Sequence, residues 1–281
     1  MAIRTHTWIP HLVLLIGVVV FVFPIYLAFV GSTHDAPTIA RGELPLTIGP
    51  NLIENYTQAL TDNTGVRVRA TPALQMMRNS LYMALFIAIG KIAISVLSAF
   101  AVVFFVFPGR MLFFWLIFVT LMLPVEVRMI PTYEVVANLG MVDTFWGLTV
   151  PLIASATATL LFRQFFLTVA DELVDAAQID GAGPMRFFWS VLLPLSRNTI
   201  AALFVIQFVY GWNQYLWPLI ITTSRGAETI VIGIVRMIGS GETQTDWHLI
   251  MAVAMLALIP PVLVIVLMQR WFVKGLTDSD K

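Results

Sequence analysis

Residues 12–31 read LVLLIGVVVFVFPIYLAFVG, twenty consecutive positions without a charged side chain. About 20 apolar residues in a helix cross the ~30 Å hydrocarbon core of a bilayer, whereas strands are far shorter. A soluble helix must turn a polar face to water, so this run confines the chain to lipid. Arg4 precedes it, as a cation precedes a cleaved signal peptide, but the run is too long and no A-x-A-like site follows. A retained helix is expected. The pattern recurs, predicting spans at 12–31, 80–107, 111–130, 144–162, 199–223 and 247–269. Pro24 and Pro260-Pro261 mark kinks. Apolar and polar residues do not alternate, which excludes a transmembrane barrel. The expectation is an all-α integral membrane protein of six transmembrane helices, a single domain over 1–281.

Composition narrows the function classes. Hydrophobic residues make up 59% of the chain and charged ones 11%, against about 25% charged in soluble domains. Sixteen basic and sixteen acidic residues cancel, so no basic surplus calls for nucleic acid. Without cysteine there is no disulfide, thiolate zinc site or iron–sulfur cluster. His6, His11, His34 and His248 stand singly, and no metal site is read. No nucleophile stands beside a base, so a membrane-embedded hydrolase has no support. Gly90-Lys91 is followed by Ile92 with no glycine five positions before, so no phosphate loop is present. Any ATP hydrolysis belongs to another chain.

The connections differ in kind. Pro108-Gly109-Arg110 is a tight turn, 32–79 is a long polar segment, and 227–241 holds an apolar stretch, 230–235, too short to span. That stretch reads as an interfacial or re-entrant helix. Six spans put both termini on one side. Arg4, Arg110, Arg163, Arg186, Arg197, Arg270, Lys274 and Lys281 share that side, eight cations. Arg41, Arg67, Arg69, Arg78, Arg128, Arg225 and Arg236 lie opposite, seven. The positive-inside rule therefore scarcely orients the chain.

The loop at 171–194 is the most informative segment. Asp171, Glu172 and Asp175 sit where a helix dipole favours anions. Gly181 and Gly183-Pro184 predict a break and a second helix. The aromatic cluster Phe187, Phe188 and Trp189 follows. Two short helices at an angle make a knob suited to a groove on a partner. Asp175-Ala176-Ala177, three residues, Gly181, nine residues, then Val191-Leu192-Leu193-Pro194 resembles the loop signature of binding-protein-dependent ABC importer permeases. Asp175 stands for Glu and Val191 for Ile; the spacing matches throughout. The resemblance implies a cytoplasmic coupling helix between spans four and five that docks on an ATPase subunit. Asp175, Ala176, Ala177, Asp180, Gly181, Phe187 and Pro194 would carry the coupling, and both termini would be cytoplasmic.

Polar residues within the spans are the candidate pathway. Gln207, Tyr210, Asn213, Gln214 and Trp217 fall within an arc of roughly 120° at ~100° per residue. Such a stripe lines a wet pathway or forms an interhelical hydrogen-bond seam; Trp212 and Trp217 also suit an aromatic belt. Glu126 and Arg128, after Pro124, form an interfacial pair or the outer mouth of the pathway. Lys91 snorkels, pairs with an acid or faces the cavity. Ser155, Thr157 and Thr159 suit close helix packing.

Further stretches resemble the sugar-importer, maltose-type branch of this family: 211–218 (GWNQYLWP) and 269–277 (QRWFVKGLT). Within it, 121–134 (LMLPVEVRMIPTYE), 161–166 (LFRQFF) and 184–188 (PMRFF) resemble permeases of the sn-glycerol-3-phosphate importers. The resemblance implies a bacterial inner-membrane complex: this chain, a homologous permease, two ATPase subunits and a periplasmic binding protein. This chain would bind no cofactor; ATP and Mg would sit on the ATPase subunits. A sugar, oligosaccharide or polyol is the alternative cargo. An ion-driven secondary transporter would show inverted repeats and broken midplane helices, which the sequence lacks.

Overall fold

Every regular element in the computed structural model is helical among the described residues, 8–43, 45–61, 71–120, 122–239 and 245–277. Arg4, His6, Arg67, Arg69, Leu121, Gly241 and Lys281 lie outside them. In chain order the α-helices are α1 (Trp8–Gly31), α2 (Ala36–Ala40), α3 (Leu52–Thr61), α4 (Ala73–Phe104), α5 (Arg110–Val119), α6 (Val125–Asn138), α7 (Phe145–Thr149) and α8 (Ala156–Phe166). There follow α9 (Asp171–Ile179), α10 (Pro184–Phe187), α11 (Leu193–Leu195), α12 (Arg197–Trp212), α13 (Leu216–Ile221), α14 (Ile230–Gly239) and α15 (Trp247–Thr277).

Three expected spans are single apolar helices of sufficient length: α1, α4 and the Trp247–Trp271 part of α15. The other three are interrupted. The region at 111–130 divides into α5 and α6. Pro124, with ψ 141°, caps α6 without an amide hydrogen to continue α5. A 10-residue α5 is about 15 Å long, half the hydrocarbon thickness. The region at 144–162 is a bent pair: Phe145–Leu152 meets Ala156–Phe166 at 44°. Ser155 makes the new start, its hydroxyl accepting from the Ala158 amide at 3.3 Å. The region at 199–223 divides into α12 and α13, and α12 meets Pro184–Leu195 at 71°.

The chain packs as two compact units. One comprises 1–77 and 230–259, the other 78–229 and 260–281. In the first, α1 buries only Val30 and Gly31. Its remaining apolar surface, from Trp8 to Tyr26, is exposed in a manner water would not tolerate. Past its end a polar knot ties the chain down. The buried Asn55 donates to the Ser32 and His34 carbonyls, each at 2.8 Å. The Gly49 amide donates to the Thr33 hydroxyl at 2.7 Å, and the Asn51 amide to the Thr33 carbonyl at 3.0 Å. The bonds from Asn55 and Asn51 serve backbone carbonyls of 32–34, past the end of α1.

In the second unit α4 is the central post. Gly211 of α12 lies so near that a Cβ there would come within 2.9 Å of the Ala84 Cα. Close approach through a small residue is how helices associate in lipid, where apolar burial supplies no drive. One cluster joins α4 to α8, α10 and α12 through Val96, Ala99, Phe100, Phe162, Phe187 and Leu203. A second gathers Met83, Ile87, Val136, Leu148, Trp217 and Ile221.

Candidate functional site

The knob begins at α9. Asp171 and Glu172 occupy its first turn, where the amide ends favour negative charge. The helix stops at Gly181, whose φ of +72° an L side chain rarely adopts. The Ala182 amide donates to the Ala177 carbonyl at 2.8 Å and the Gly181 amide to the Gln178 carbonyl at 3.0 Å. That pair of bonds is a Schellman cap with Gly181 at its left-handed position. Pro184 then opens α10, its missing N–H costing nothing in a first turn. Physically, Ala-Ala-x₃-Gly-x₂-Pro writes helix, left-handed cap, helix.

One side of this knob is held and the other is bare. Phe187 and Phe188 are buried, Phe188 with its ring 4.9 Å from Phe100 and Phe187 with its ring 5.5 Å from Phe104. Phe104 also meets Phe166 at 5.9 Å. Val174 and Ala177 of α9 pack against this aromatic seat. The remaining residues of 171–181 are exposed, including Asp175, Ala176, Asp180 and Gly181. Ile179 is 86% exposed and Trp189 64%, which gives the bare side an apolar component among its carboxylates. Phe187 therefore anchors the knob, while Asp175, Ala176 and Asp180 are displayed. Pro194 is exposed and stands second in α11 beside the bend. Beyond the sequence-derived set, Arg163 lies over the Phe114 ring at 4.3 Å.

The polar stripe does not run as one helical face, because α12 ends at Trp212. Gln207 is buried, Tyr210 half-buried and Asn213 exposed just past the helix end. Gln214 turns back to donate its amide to the Tyr210 carbonyl at 3.1 Å. Trp217, on α13, is buried and donates its indole N–H to the Gly147 carbonyl at 3.1 Å. It belongs to the packing of the second cluster, against which Tyr210 also packs. Glu126 and Arg128 are exposed in the first turns of α6. Lys91 is buried, with Nζ 3.6 Å from the Tyr210 ring centroid.

Residues 82–278 match the family described as binding-protein-dependent transport system inner membrane component. The chain belongs to that family. The match takes in the knob, its aromatic seat and the polar stripe. The sn-glycerol-3-phosphate transport system permease protein UgpE of Rhizobium meliloti is 56% identical over 97% of this chain and 96% of its own length. The protein of the same name from Yersinia pestis is 55% identical over 96% of each chain. Among solved structures, a chain of a bacterial ABC transporter that imports the acidic polysaccharide alginate superposes with a TM-score of 0.82 at 18% identity. That match covers 97% of this chain and all of the other. The fold is that of the type I ABC importer permeases, and this permease is an inner-membrane transport component.

Two features of the permease escaped sequence reasoning. Asp143 holds the α13 exit by accepting from the Thr223 and Ser224 amides at 2.9 and 3.0 Å and from the Thr223 hydroxyl at 2.6 Å. Its φ of +62° is the one positive value outside glycine among the described residues, and Gly140 shortly before it also has positive φ. The Asn-Leu-Gly-Met-Val-Asp run at 138–143 carries that turn chemistry, but nothing in it names a partner eighty positions on. Asn79 is the other, donating to the Gly226 and Glu228 carbonyls at 2.8 and 2.9 Å.

Proposed function

We infer that this permease forms half of the translocation pathway of an ATP-driven importer for sn-glycerol-3-phosphate. The knob carries the transport half of this reading: a capped helix pair, anchored by phenylalanines on one side, with carboxylates and exposed apolar residues on the other. Such a surface suits a groove on an ATPase subunit. The cargo assignment is supported by the extent of identity with the two permeases named above.

The complex would contain this chain, a homologous permease, two ATPase subunits and a periplasmic binding protein, in a bacterial inner membrane. ATP and Mg would be held by the ATPase subunits. With the knob cytoplasmic, both termini are cytoplasmic and the chain crosses six times, α5 with α6 and α12 with α13 each counting as one interrupted crossing. Closure of the ATPase pair on ATP would displace the knob. Phe187 and Phe188 would pass that displacement to α4 and α8 through the aromatic seat. The pathway would then switch between inward and outward access as a rigid-body transition.

The test is reconstitution in proteoliposomes with the cognate binding protein, measuring ATPase rate with and without sn-glycerol-3-phosphate, beside Gly181→Asp. Stimulation that the variant loses while still inserting supports both cargo and coupling. Stimulation by sugars or neutral polyols alone keeps the importer and discards the cargo. A variant that transports normally defeats the coupling role of the knob.

A further inference from the structure

Lys91 lies midway along α4, 6% exposed, in a helix long and apolar enough to span the membrane. Among the described residues no carboxylate forms an ion pair with it. Its ammonium rests on the face of Tyr210, 3.6 Å from the ring centroid. A buried cation that rests on an aromatic ring without an ion pair is poorly compensated, and intramembrane ionisable groups are retained at such a cost where they meet a partner or a cargo.

The surroundings fit a cargo better than a packing role. Tyr210 shares α12 with the buried Gln207, and its carbonyl accepts from Gln214. Lys91 therefore points from α4 onto the polar side of α12 rather than toward the helix ends where a lysine would snorkel. The three ammonium hydrogens of Lys91 match the oxygens of a phosphate group. A cation–π contact holds the ammonium without neutralising it, so the positive potential stays available.

We propose that Lys91, waiting on Tyr210, is the anion-recognition point of the pathway and takes the phosphate of a phosphomonoester. The inference rests on the anionic-cargo reading above. An anion arriving there meets an ammonium that no carboxylate among the described residues already neutralises. Free inorganic phosphate offers the same oxygens, and the test separates the two.

The assembled complex, trapped with ATP and vanadate in the absence of the binding protein, is titrated with labelled sn-glycerol-3-phosphate. Inorganic phosphate and glycerol serve as competitors. Lys91→Met is expected to weaken binding ~10-fold or more, since truncating one partner of a desolvated charge pair costs at least that factor. Lys91→Arg is expected to bind more tightly than Lys91→Met, because a positive charge over the ring persists. Thermal unfolding supplies the readout that a structural role would move. Removing an uncompensated buried charge leaves Tm unchanged or raised, whereas loss of a structural lysine lowers it. Competition by inorganic phosphate, lost in Lys91→Met, assigns the site to the phosphate group; retention of labelled phosphate itself assigns it to the free anion. Competition by glycerol alone overturns the proposal. Binding unchanged in Lys91→Met overturns it while leaving the cargo reading intact. A wild-type complex that retains only neutral sugars defeats both. If Lys91→Met does not assemble, Lys91→Arg against the neutral Lys91→Gln decides the same question.

Discussion

Replacing Gly181 separates backbone conformation from bulk at the knob. Its φ of +72° closes the cap of α9, yet no heavy atom lies within 4 Å of where a Cβ would sit. Any cost on the isolated permease is therefore conformational. The left-handed region costs a non-glycine residue about 1–2 kcal/mol. Against this, alanine restricts the open chain and returns about 0.4–1 kcal/mol. Gly181→Ala should thus weaken the cap by roughly 0.5–1 kcal/mol, a shift of about 2- to 5-fold in its closed population. Gly181→Asn should cost less, because asparagine visits this region, and β-branched Gly181→Val should cost most. The direct assay is amide exchange at Ala182, whose hydrogen is held by the Ala177 carbonyl at 2.8 Å. Exchange should quicken in the order Asn, Ala, Val. Substrate-stimulated ATPase of the reconstituted complex should fall in the same order. If Asn proves as damaging as Val, or exchange at Ala182 is the same in all, the glycine is required for clearance against a docked partner and the conformational argument is wrong.

Gly211→Leu should lower Tm markedly, since its side chain would have to displace the backbone at Ala84 rather than a yielding side chain. Overpacking of this kind costs ~1–3 kcal/mol, and Gly211→Ala should show a smaller loss on the same melting curve. Asn55→Leu leaves the buried Ser32 carbonyl and the part-buried His34 carbonyl without their amide donor, a loss of about 1–3 kcal/mol; faster proteolysis of the 32–55 segment would show it. At Asp143 burial opposes ionisation, but hydrogen bonds from Thr223 and Ser224 outweigh it and hold the pKa below its usual 3.8. The carboxylate's contribution is thus complete above the unfolded pKa and lost as pH falls through the folded one. Loosening of the Thr223–Ser224 turn on acidification, followed by amide exchange, should disappear in Asp143→Asn.

What the sequence disclosed about this permease is what local chemistry determines. The knob was legible because its instructions are short-range: anionic first turn, left-handed glycine, proline at a helix start. The apolar runs were legible as membrane segments because lipid demands length. Their continuity was not. Residues 199–223 hold no charge, yet the helix ends at Trp212 and restarts at Leu216. Trp217 is held by Gly147, seventy positions away, and Thr223 by Asp143, eighty positions away. A helical arc drawn through Gln207 and Trp217 assumes that the helix runs on past Asn213, and tertiary anchoring decides otherwise. The break at Pro124 was readable, since proline marks it, but a hydropathy run from 111 to 130 passes over it.

The central post also links the two regions of interest. Helix α4 runs over 32 residues with no proline inside it. It carries Lys91 and, nine and thirteen positions on, Phe100 and Phe104 of the aromatic seat. At ~1.5 Å per residue these lie about 14 and 20 Å apart along one stiff element. A displacement of the knob that moves Phe100 must therefore move Lys91 with it, unless the seat yields first. Phe100→Ala makes the seat yield. The ring is 4% exposed, 4.9 Å from Phe188 and 5.2 Å from Phe105, and its loss leaves a cavity costing ~3–5 kcal/mol. The expected phenotype is slippage: ATP still hydrolysed, with fewer cargo molecules carried for each one. Phe100→Leu, which fills most of the space, should restore the ratio. Equal loss of hydrolysis and transport in Phe100→Ala would instead mean that the seat only holds the knob in place, and that motion reaches the pathway through another helix.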